Sequence, residues 1–311
     1  MSSSFEDILA QVREIPTKKL SVAAAEDRPV MEAVHEAMQR GIAIPVLTGD
    51  EEKIRAIAGE IGWDLDGDGI EVIHEPDPDK AALDAVKLVH DGDADMYMKG
   101  LVDSKTFLRS VLNKEVGLRT GRMLSHICVF DIEGIDRLLF LTDVAFCTYP
   151  TLEEKEQIIN YSVEVCNACG VFNPKVAPLA AVEVVNPKMP ATLDAAQLTQ
   201  WNDEGRITNC IVDGPLSMDL AIDPESAQHK PGAEKRKIVG DADVLLFPDI
   251  HAGNLVYKTI VHLIPFHNAC ILMGTKAPAI LASRSDSKET KVNSIALAAV
   301  VAHYQQEKAA R

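Results

Sequence analysis

The chain has 311 residues, of which 47% are apolar and 25% are charged, a composition typical of a globular protein with a sizeable core. Acidic residues number 47 against 31 basic ones, a net charge of −16, which argues against a dedicated nucleic-acid binder because such proteins neutralise phosphates. The longest apolar run, 295–302, is far shorter than the ~20 residues that span a bilayer, and the N-terminus lacks the apolar core of a signal peptide. We therefore expect a cytoplasmic protein without a membrane segment.

The first part of the chain alternates short apolar runs with segments of helical periodicity. Strands are predicted at 20–25, 43–49, 71–75 and 94–100. Helices are predicted at 29–40, at 51–59 behind a capping Asp50, at 77–90 and at 104–113. This alternation of strands and helices predicts a mostly parallel sheet covered by helices.

The rhythm changes at 124–132 and 136–143, two apolar runs joined at Glu133-Gly134 that predict a hairpin. Alternation then resumes, with helices predicted at 152–168, 192–203 and 287–306 and strands at 175–182, 209–216, 243–250 and 268–275. The predicted fold is α/β, with two domains that each contain a mostly parallel sheet and a ligand cleft between them. We place the first domain at 1–130 plus 281–311 and the second at 131–280.

The six cysteines are expected to be reduced in a cytosolic chain. Cys166 and Cys169 form a C-x-x-C, but they share a face of a predicted helix with Val163 and are expected in the core. No cysteine or histidine spacing suits a zinc site. The glycine-rich phosphate motifs of dinucleotide and P-loop folds are missing, as is G-x-S-x-G, which argues against those enzyme classes.

Four loops at predicted strand ends carry polar residues where parallel α/β sheets bind ligands. In the first, Lys99 ends a strand, Ser104 is expected to cap the next helix, and Arg109 adds a nearby positive charge. The alternative is an ordinary loop with surface lysines. In the second, Arg119 and Arg122 flank a Thr-Gly pair and, with Arg109, form a candidate phosphate cluster.

The other two loops lie later in the chain. Asp249, Gly253 and Asn254 follow a predicted strand and are candidate ligand contacts, although Asn254 could instead simply cap a helix. Residues 283–287 form a dense polar turn before the final helix. Capping explains Asp286 or Ser287 but gives no reason for the Ser283-Arg284 pair.

At these loops the sequence resembles the phosphate acetyltransferase/phosphate butyryltransferase family. The resemblance is strongest in KGLVDSKTFLRSVL, FPDIHAGNLVYK and SRSDSKETKVNSIALA, and the last is closer to the butyryltransferase branch. It implies two domains of the isocitrate/isopropylmalate dehydrogenase type, a homodimer or higher homo-oligomer, and the reversible reaction of acyl-CoA with phosphate to give acyl phosphate and CoA.

The resemblance also implies roles for individual residues. Arg109 matches the arginine that holds the phosphate, and Ser283 and Arg284 match the family's Ser-Arg pair. Acetyltransferase members carry an aspartate seven residues after that serine, whereas this chain has Thr290. Asp286 lies nearby at a different spacing, and the base that deprotonates the CoA thiol is therefore left open.

The expected mechanism is direct attack of the CoA thiolate on the acyl carbon in a ternary complex, with no metal or redox cofactor and CoA as a substrate. Arginines would neutralise the phosphate and Ser283 would assist the oxyanion. The alternatives are phosphate acetyltransferase activity on acetyl-CoA, an NAD(P)- and metal-dependent oxidative decarboxylase of the same fold type, and a noncatalytic acyl-CoA-binding subunit.

Overall fold

The computed structural model describes residues 3–67, 69–230, 232–281, 283 and 286–310. The helices are α1 Phe5–Glu14, α2 Arg28–Gln39, α3 Glu51–Glu60, α4 Pro78–Asp91, α5 Ser104–Val111, α6 Leu152–Ala168, α7 Pro190–Asp203, α8 Met218–Ile222, α9 Pro224–His229, α10 Ile250–Leu263 and α11 Lys288–Ala310. The strands are β1 Lys18–Ala23, β2 Ala43–Gly49, β3 Glu71–His74, β4 Met96–Lys99, β5 Ser125–Ile132, β6 Leu139–Thr142, β7 Lys175–Pro178, β8 Ile211–Val212, β9 Val244–Leu246, β10 Phe266–Met273 and β11 Ala279–Ile280. The predicted α/β class is confirmed.

The chain divides into two compact units. The first unit comprises residues 5–122 and 268–311, and the second comprises 123–267 with the first few residues of the chain. These boundaries differ from the predicted ones at 130/131 and 280/281. The hairpin strand β5 pairs with β6 of the second unit, while the strand that ends at Met273 pairs with β11, which pairs in turn with β4 of the first unit.

The sheet of the first unit has the order β3-β2-β1-β4-β11-β10, and its pairings are parallel except for β10 with β11. Its central strands β1 and β4 are almost entirely buried, as expected for a parallel sheet covered on both faces. Because β1, β2 and β4 run in the same direction, the loops that follow them emerge at one edge of this sheet.

Helix α11 differs from its prediction. The spacing of Val292, Ile295 and Ala299 predicts a helix with a single apolar face, yet every residue from Thr290 to Ala302 is buried. The helix packs against α1 and α2, and α1 is not among the predicted elements. A helix enclosed in this way buries its polar residues as well, so the polar positions near its N-terminus acquire structural importance.

The second unit has the strand order β5-β6-β9-β7-β8. The predicted hairpin is confirmed, since β5 and β6 pair antiparallel with Val129 opposite Phe140, and the remaining pairings are parallel. Strands β7, β8 and β9 are shorter than predicted because the chain leaves the sheet soon after each buried core segment. Among the described residues no helix is both long and apolar enough to cross a bilayer.

Candidate active site

A cavity of about 410 Å³ lies in the first unit, at the carboxyl ends of β1 and β4. We call it the β1–β4 cavity. It is lined by residues 26–30, residues 99–101, Ser283 and Lys291. Two of the predicted site residues, Lys99 and Ser283, are therefore brought to the same cavity although they are far apart in the sequence.

Lys99 is the last residue of β4, and its side chain is buried. Its ammonium donates to the carbonyl of Gly100 at 3.3 Å. Gly100 itself has no room for a side chain, because a Cβ there would lie 2.2 Å from the carbonyl oxygen of Ala24. This close approach of two strand ends fixes where Lys99 enters the cavity.

The first turn of α2 forms another wall of the cavity. Asp27 precedes the helix in an extended conformation, yet its carboxylate makes no capping hydrogen bond, and Pro29 in this turn has no N–H. The guanidinium of Arg28 is directed to the carboxylates of Glu32 and Glu60, at 2.9 and 3.0 Å. The positive end of this helix therefore lies at the cavity without a side-chain cap.

Hydrogen bonds join the described residues Ser283, Asp286 and Ser287 to one another or to the start of α11. The carboxylate of Asp286 accepts from the backbone N–H of Ser283 at 2.7 Å. The hydroxyl of Ser287 accepts from the N–H of Thr290 at 3.0 Å, so Ser287 caps α11, as the sequence allows. Asp286 thus positions the backbone of Ser283, while the predicted Arg284 lies outside the described residues.

Thr290, which the sequence resemblance matches to the acetyltransferase aspartate, is part of a buried polar network. Its hydroxyl lies 2.9 Å from the hydroxyl of Ser287 and donates to the side-chain carbonyl of Asn268 at 2.8 Å. Both Thr290 and Asn268 are buried. A threonine hydroxyl held in this way stabilises the start of α11 and is no substitute for a carboxylate base.

Lys291 follows Thr290 and lines the β1–β4 cavity, but the sequence analysis missed it. It is only 2% exposed, and its ammonium donates to the backbone carbonyl of Asp286. Burial lowers the pKa of this ammonium and outweighs the attraction of Asp286 and Asp27, which acts to raise it. The sequence does carry a signal for it, since a lysine four residues before Ile295 falls on the predicted apolar face of this helix.

The anion site predicted at the start of α5 is organised differently. Asp103 is the N-cap and accepts from the N–H of Thr106 at 2.7 Å, whereas Ser104 is the first helical residue and is exposed. The prediction that Ser104 caps this helix is wrong, because Asp103 places a carboxylate at the free N–H groups first. Arg109 is exposed on the same helix and lies 3.7 Å from the carboxylate of Asp79.

The two arginines of the second predicted loop are exposed. Arg119 forms an isolated antiparallel bridge with Thr275, and the neighbouring Thr120 hydroxyl donates to the carbonyl of Gly274 at 2.6 Å. The backbone of this loop is therefore attached to the end of the strand region 266–275. A phosphate cluster made of Arg109, Arg119 and Arg122 stays a prediction.

In the second unit, Asp249, Gly253 and Asn254 fix the start of α10. Asp249 is the N-cap and accepts from the N–H groups of the next turn, so the suggestion that Asn254 caps this helix is wrong. The side-chain amide of Asn254 instead donates to the carbonyl of Val144 at 2.9 Å. A Cβ on Gly253 would lie 2.3 Å from the carbonyl oxygen of Asp143, so the helix lies directly on the loop after β6.

A second polar cluster follows β8. Asp213 accepts from the guanidinium of Arg236 at 3.1 Å. The ammonium of Lys230 lies 2.7 Å from the hydroxyl of Ser217 and 3.1 Å from the carboxylate of Asp219. Hydrogen bonds from Ser217 and then from Lys230 hold the pKa of Asp219 at about 2. These groups satisfy one another and anchor the segment that contains α8 and α9.

Comparison with known proteins identifies a family across nearly the whole chain. The model of the phosphate acetyl/butaryl transferase family matches residues 4–82 and 75–299. The chain belongs to this family. The phosphate butyryltransferases of Clostridium acetobutylicum and Clostridium beijerinckii are 55% and 53% identical to it, each over 97% of this chain and 99% of the relative. A branched-chain phosphotransacylase from Enterococcus faecalis has a similar structure, with a TM-score of 0.80, 30% identity and coverage of 92% of this chain and 99% of that one.

Membership of the phosphate acetyl/butaryl transferase family confirms the resemblance found in the sequence. The β1–β4 cavity is lined by two buried lysines, Lys99 and Lys291, and by Ser283.

Proposed function

We propose that the chain is a phosphate butyryltransferase, which transfers a short-chain acyl group reversibly between CoA and phosphate. The observation that carries this proposal is the high identity to butyryltransferases over nearly the full length of both partners. The β1–β4 cavity supports it, because Lys99 and Ser283 line a pocket at a strand edge where such folds bind ligands.

The proposed chemistry is a direct transfer. In the direction of CoA acylation, the thiol loses its proton and the thiolate attacks the acyl carbon. The C–O bond to phosphate then breaks, and phosphate leaves as hydrogen phosphate, which takes up a proton in place of the one that the thiol lost. A free thiol has a pKa near ~8.5, so a nearby positive charge or base raises the thiolate fraction. Ser283 is proposed to donate to the developing oxyanion, with Asp286 holding its backbone in place.

Arg109 and Arg284 are proposed to neutralise the phosphate, as the resemblance implies. Arg109 is exposed and its Asp79 contact is long at 3.7 Å, which leaves its guanidinium able to turn to an anion at little cost. The proposed reaction needs no metal or redox cofactor, and its activity should survive exhaustive treatment with a chelator. We also propose that the protein works in the cytoplasm. Its six free cysteines support this location, because disulfides are rare in that reducing compartment.

Phosphate-dependent thiol release tests the proposal. The purified protein is mixed with butyryl-CoA and phosphate, with acetyl-CoA in parallel, and free CoA is followed with a chromogenic disulfide. We expect release that requires phosphate and is faster with butyryl-CoA. Faster release from acetyl-CoA would assign the acetyltransferase alternative, and CoA binding without release from either substrate would assign a noncatalytic binding subunit.

Ser283→Ala should lower kcat by about 10²-fold if the hydroxyl stabilises the oxyanion. Thr17→Ala is the matched control, since it removes an exposed hydroxyl just before β1, outside the β1–β4 cavity and away from α10. Equal rates for the two variants would remove Ser283 from the mechanism.

We also propose a homodimer that uses the outer face of α10. Only Gly253 and Ile260 of this helix are buried, while Leu255 is 69% exposed and Leu263 is 75% exposed. An apolar depression of about 250 Å³ lies beside them, lined by residues that include Ile132, Leu139, Val256 and Ile264. A second copy of the chain would cover this apolar surface. Analytical sedimentation of Leu255→Asp should then show a monomer. A molecular mass equal to that of the wild type would refute this surface as the dimer interface.

A further inference from the structure

Two buried lysines from different segments converge on the β1–β4 cavity. Lys99 enters from the end of β4 and Lys291 from the first turns of α11. They are 6% and 2% exposed. Lysines are rarely buried so deeply without a functional or structural partner, which makes their shared cavity the best candidate for an anion site.

The charge around Lys291 is incompletely compensated. Its ammonium donates to a backbone carbonyl, and among the described residues it forms no ion pair within 4.0 Å. Asp27 and Asp286 attract it, but burial still lowers its pKa. An anion that enters the cavity would add a negative charge beside this buried ammonium and so offset the cost of its burial.

Two other charged side chains of the cavity wall, those of Arg28 and Glu26, make contacts outside the cavity. Arg28 forms ion pairs with Glu32 and Glu60. One carboxylate oxygen of Glu26 lies against Gly49, the last residue of β2, at 2.0 Å from the position that a Cβ would take. The uncapped start of α2 adds partial positive charge at the same wall.

We propose that Lys99 and Lys291 bind the phosphoryl group of the phosphate substrate in the β1–β4 cavity. This inference rests on the acyl transfer proposed above and assigns one of its two substrates to a defined subsite. Lys291 is a contact that follows from the structure, because the sequence resemblance carries over arginines and a serine and does not include it.

Steady-state kinetics of Lys291→Met test this assignment. The KM for inorganic phosphate should rise by about tenfold or more, as expected for a lost charge-assisted hydrogen bond, while the KM for butyryl-CoA should stay within about twofold. Lys291→Arg should recover most of the affinity for phosphate because it keeps the positive charge. Lys99→Met should show the same selective rise.

Lys288→Met is the matched control. Lys288 lies one turn earlier on the same helix, is 54% exposed and pairs with Glu36, so the substitution removes the same charge outside the cavity. Its KM for phosphate should equal that of the wild type. Circular dichroism and thermal unfolding establish that each variant is folded, and removal of an under-compensated buried charge should leave the unfolding temperature of Lys291→Met close to that of the wild type.

Three results would overturn the inference. An unchanged KM for phosphate in Lys291→Met would remove this lysine from the subsite. A lower kcat with an unchanged KM, together with no recovery in Lys291→Arg, would assign Lys291 to proton transfer. A selective rise in the KM for butyryl-CoA would place a phosphate group of CoA in the cavity instead.

Calorimetric titration with inorganic phosphate separates this inference from the proposed function. If the wild type releases no thiol but binds phosphate, and Lys291→Met does not bind it, the acyl transfer is wrong and the phosphate site stands. If thiol release proceeds normally while Lys291→Met binds phosphate as the wild type does, the site is wrong and the acyl transfer stands.

Discussion

Gly100→Ala should destabilise the first unit at the point where the candidate site is built. The new Cβ would lie 2.2 Å from the carbonyl oxygen of Ala24 and 2.5 Å from that of Ala23, whereas ordinary contact begins at about 3.4 Å. The two strand ends would have to separate by about 1 Å. They are joined by hydrogen bonds from Gly100 to Ala23 at 2.9 Å and from Leu101 to Ala24 at 2.7 Å, and a separation of this size would weaken both.

The cost follows from these two effects. Overpacking in a close-packed region costs about 1–3 kcal/mol, and each weakened hydrogen bond adds about 0.5–1.5 kcal/mol. With two hydrogen bonds affected, we therefore expect a loss of about 2–6 kcal/mol in the free energy of unfolding. Because Lys99 precedes this glycine, the KM for phosphate should rise as well.

Urea unfolding followed by circular dichroism measures the change, with Gly59→Ala as the matched control. Gly59 lies in α3, and a Cβ there meets nothing within 4 Å, so the same substitution should be neutral or stabilise by about 0.5–1 kcal/mol. An unfolding midpoint for Gly100→Ala equal to that of Gly59→Ala would refute the argument from close approach.

Three further predictions follow from other regions. Thr290→Val should lower the free energy of unfolding by about 1–3 kcal/mol, because it leaves the buried side chain of Asn268 without its hydroxyl partner. The exposed Thr17→Val is the control, and equal urea midpoints for the two variants would contradict this reasoning. The folded-state pKa of Asp219, about 2, lies below its usual value, so this carboxylate stabilises the fold above pH ~4 and loses that effect as the pH falls toward about 2. The unfolding midpoints of wild type and Asp219→Asn should therefore converge over that range, and a constant difference would be inconsistent with this origin. The thiols of the native protein at pH ~8 should react slowly with a chromogenic disulfide. Cys147 should react before the others, because the other five thiols are buried. Rapid reaction of several thiols would contradict the buried positions.

Local patterns in the sequence predicted most of the elements, though not α1, α8, α9 or β11, and one part of the site. The strand at 43–49 and the helix at 152–168 match the structure in both bounds, because apolar periodicity and capping residues act within a few neighbours along the chain. The same short-range signals placed Lys99 at a strand end and showed that capping could not explain Ser283. Specific motifs in order along the chain also identified the family, which the comparisons confirm.

Tertiary structure alone decided which of these residues meet. Ser104 and Asp103 both suit a helix cap, and only the folded backbone selects Asp103. Asn254 has the composition of a cap but reaches Val144, which is distant in sequence. Likewise, the burial of Lys291 depends on the elements that enclose α11 and on the strand end that carries Lys99. Periodicity along one segment reports that segment's own faces, whereas the electrostatic environment of a side chain is determined by residues that folding brings together from elsewhere in the chain.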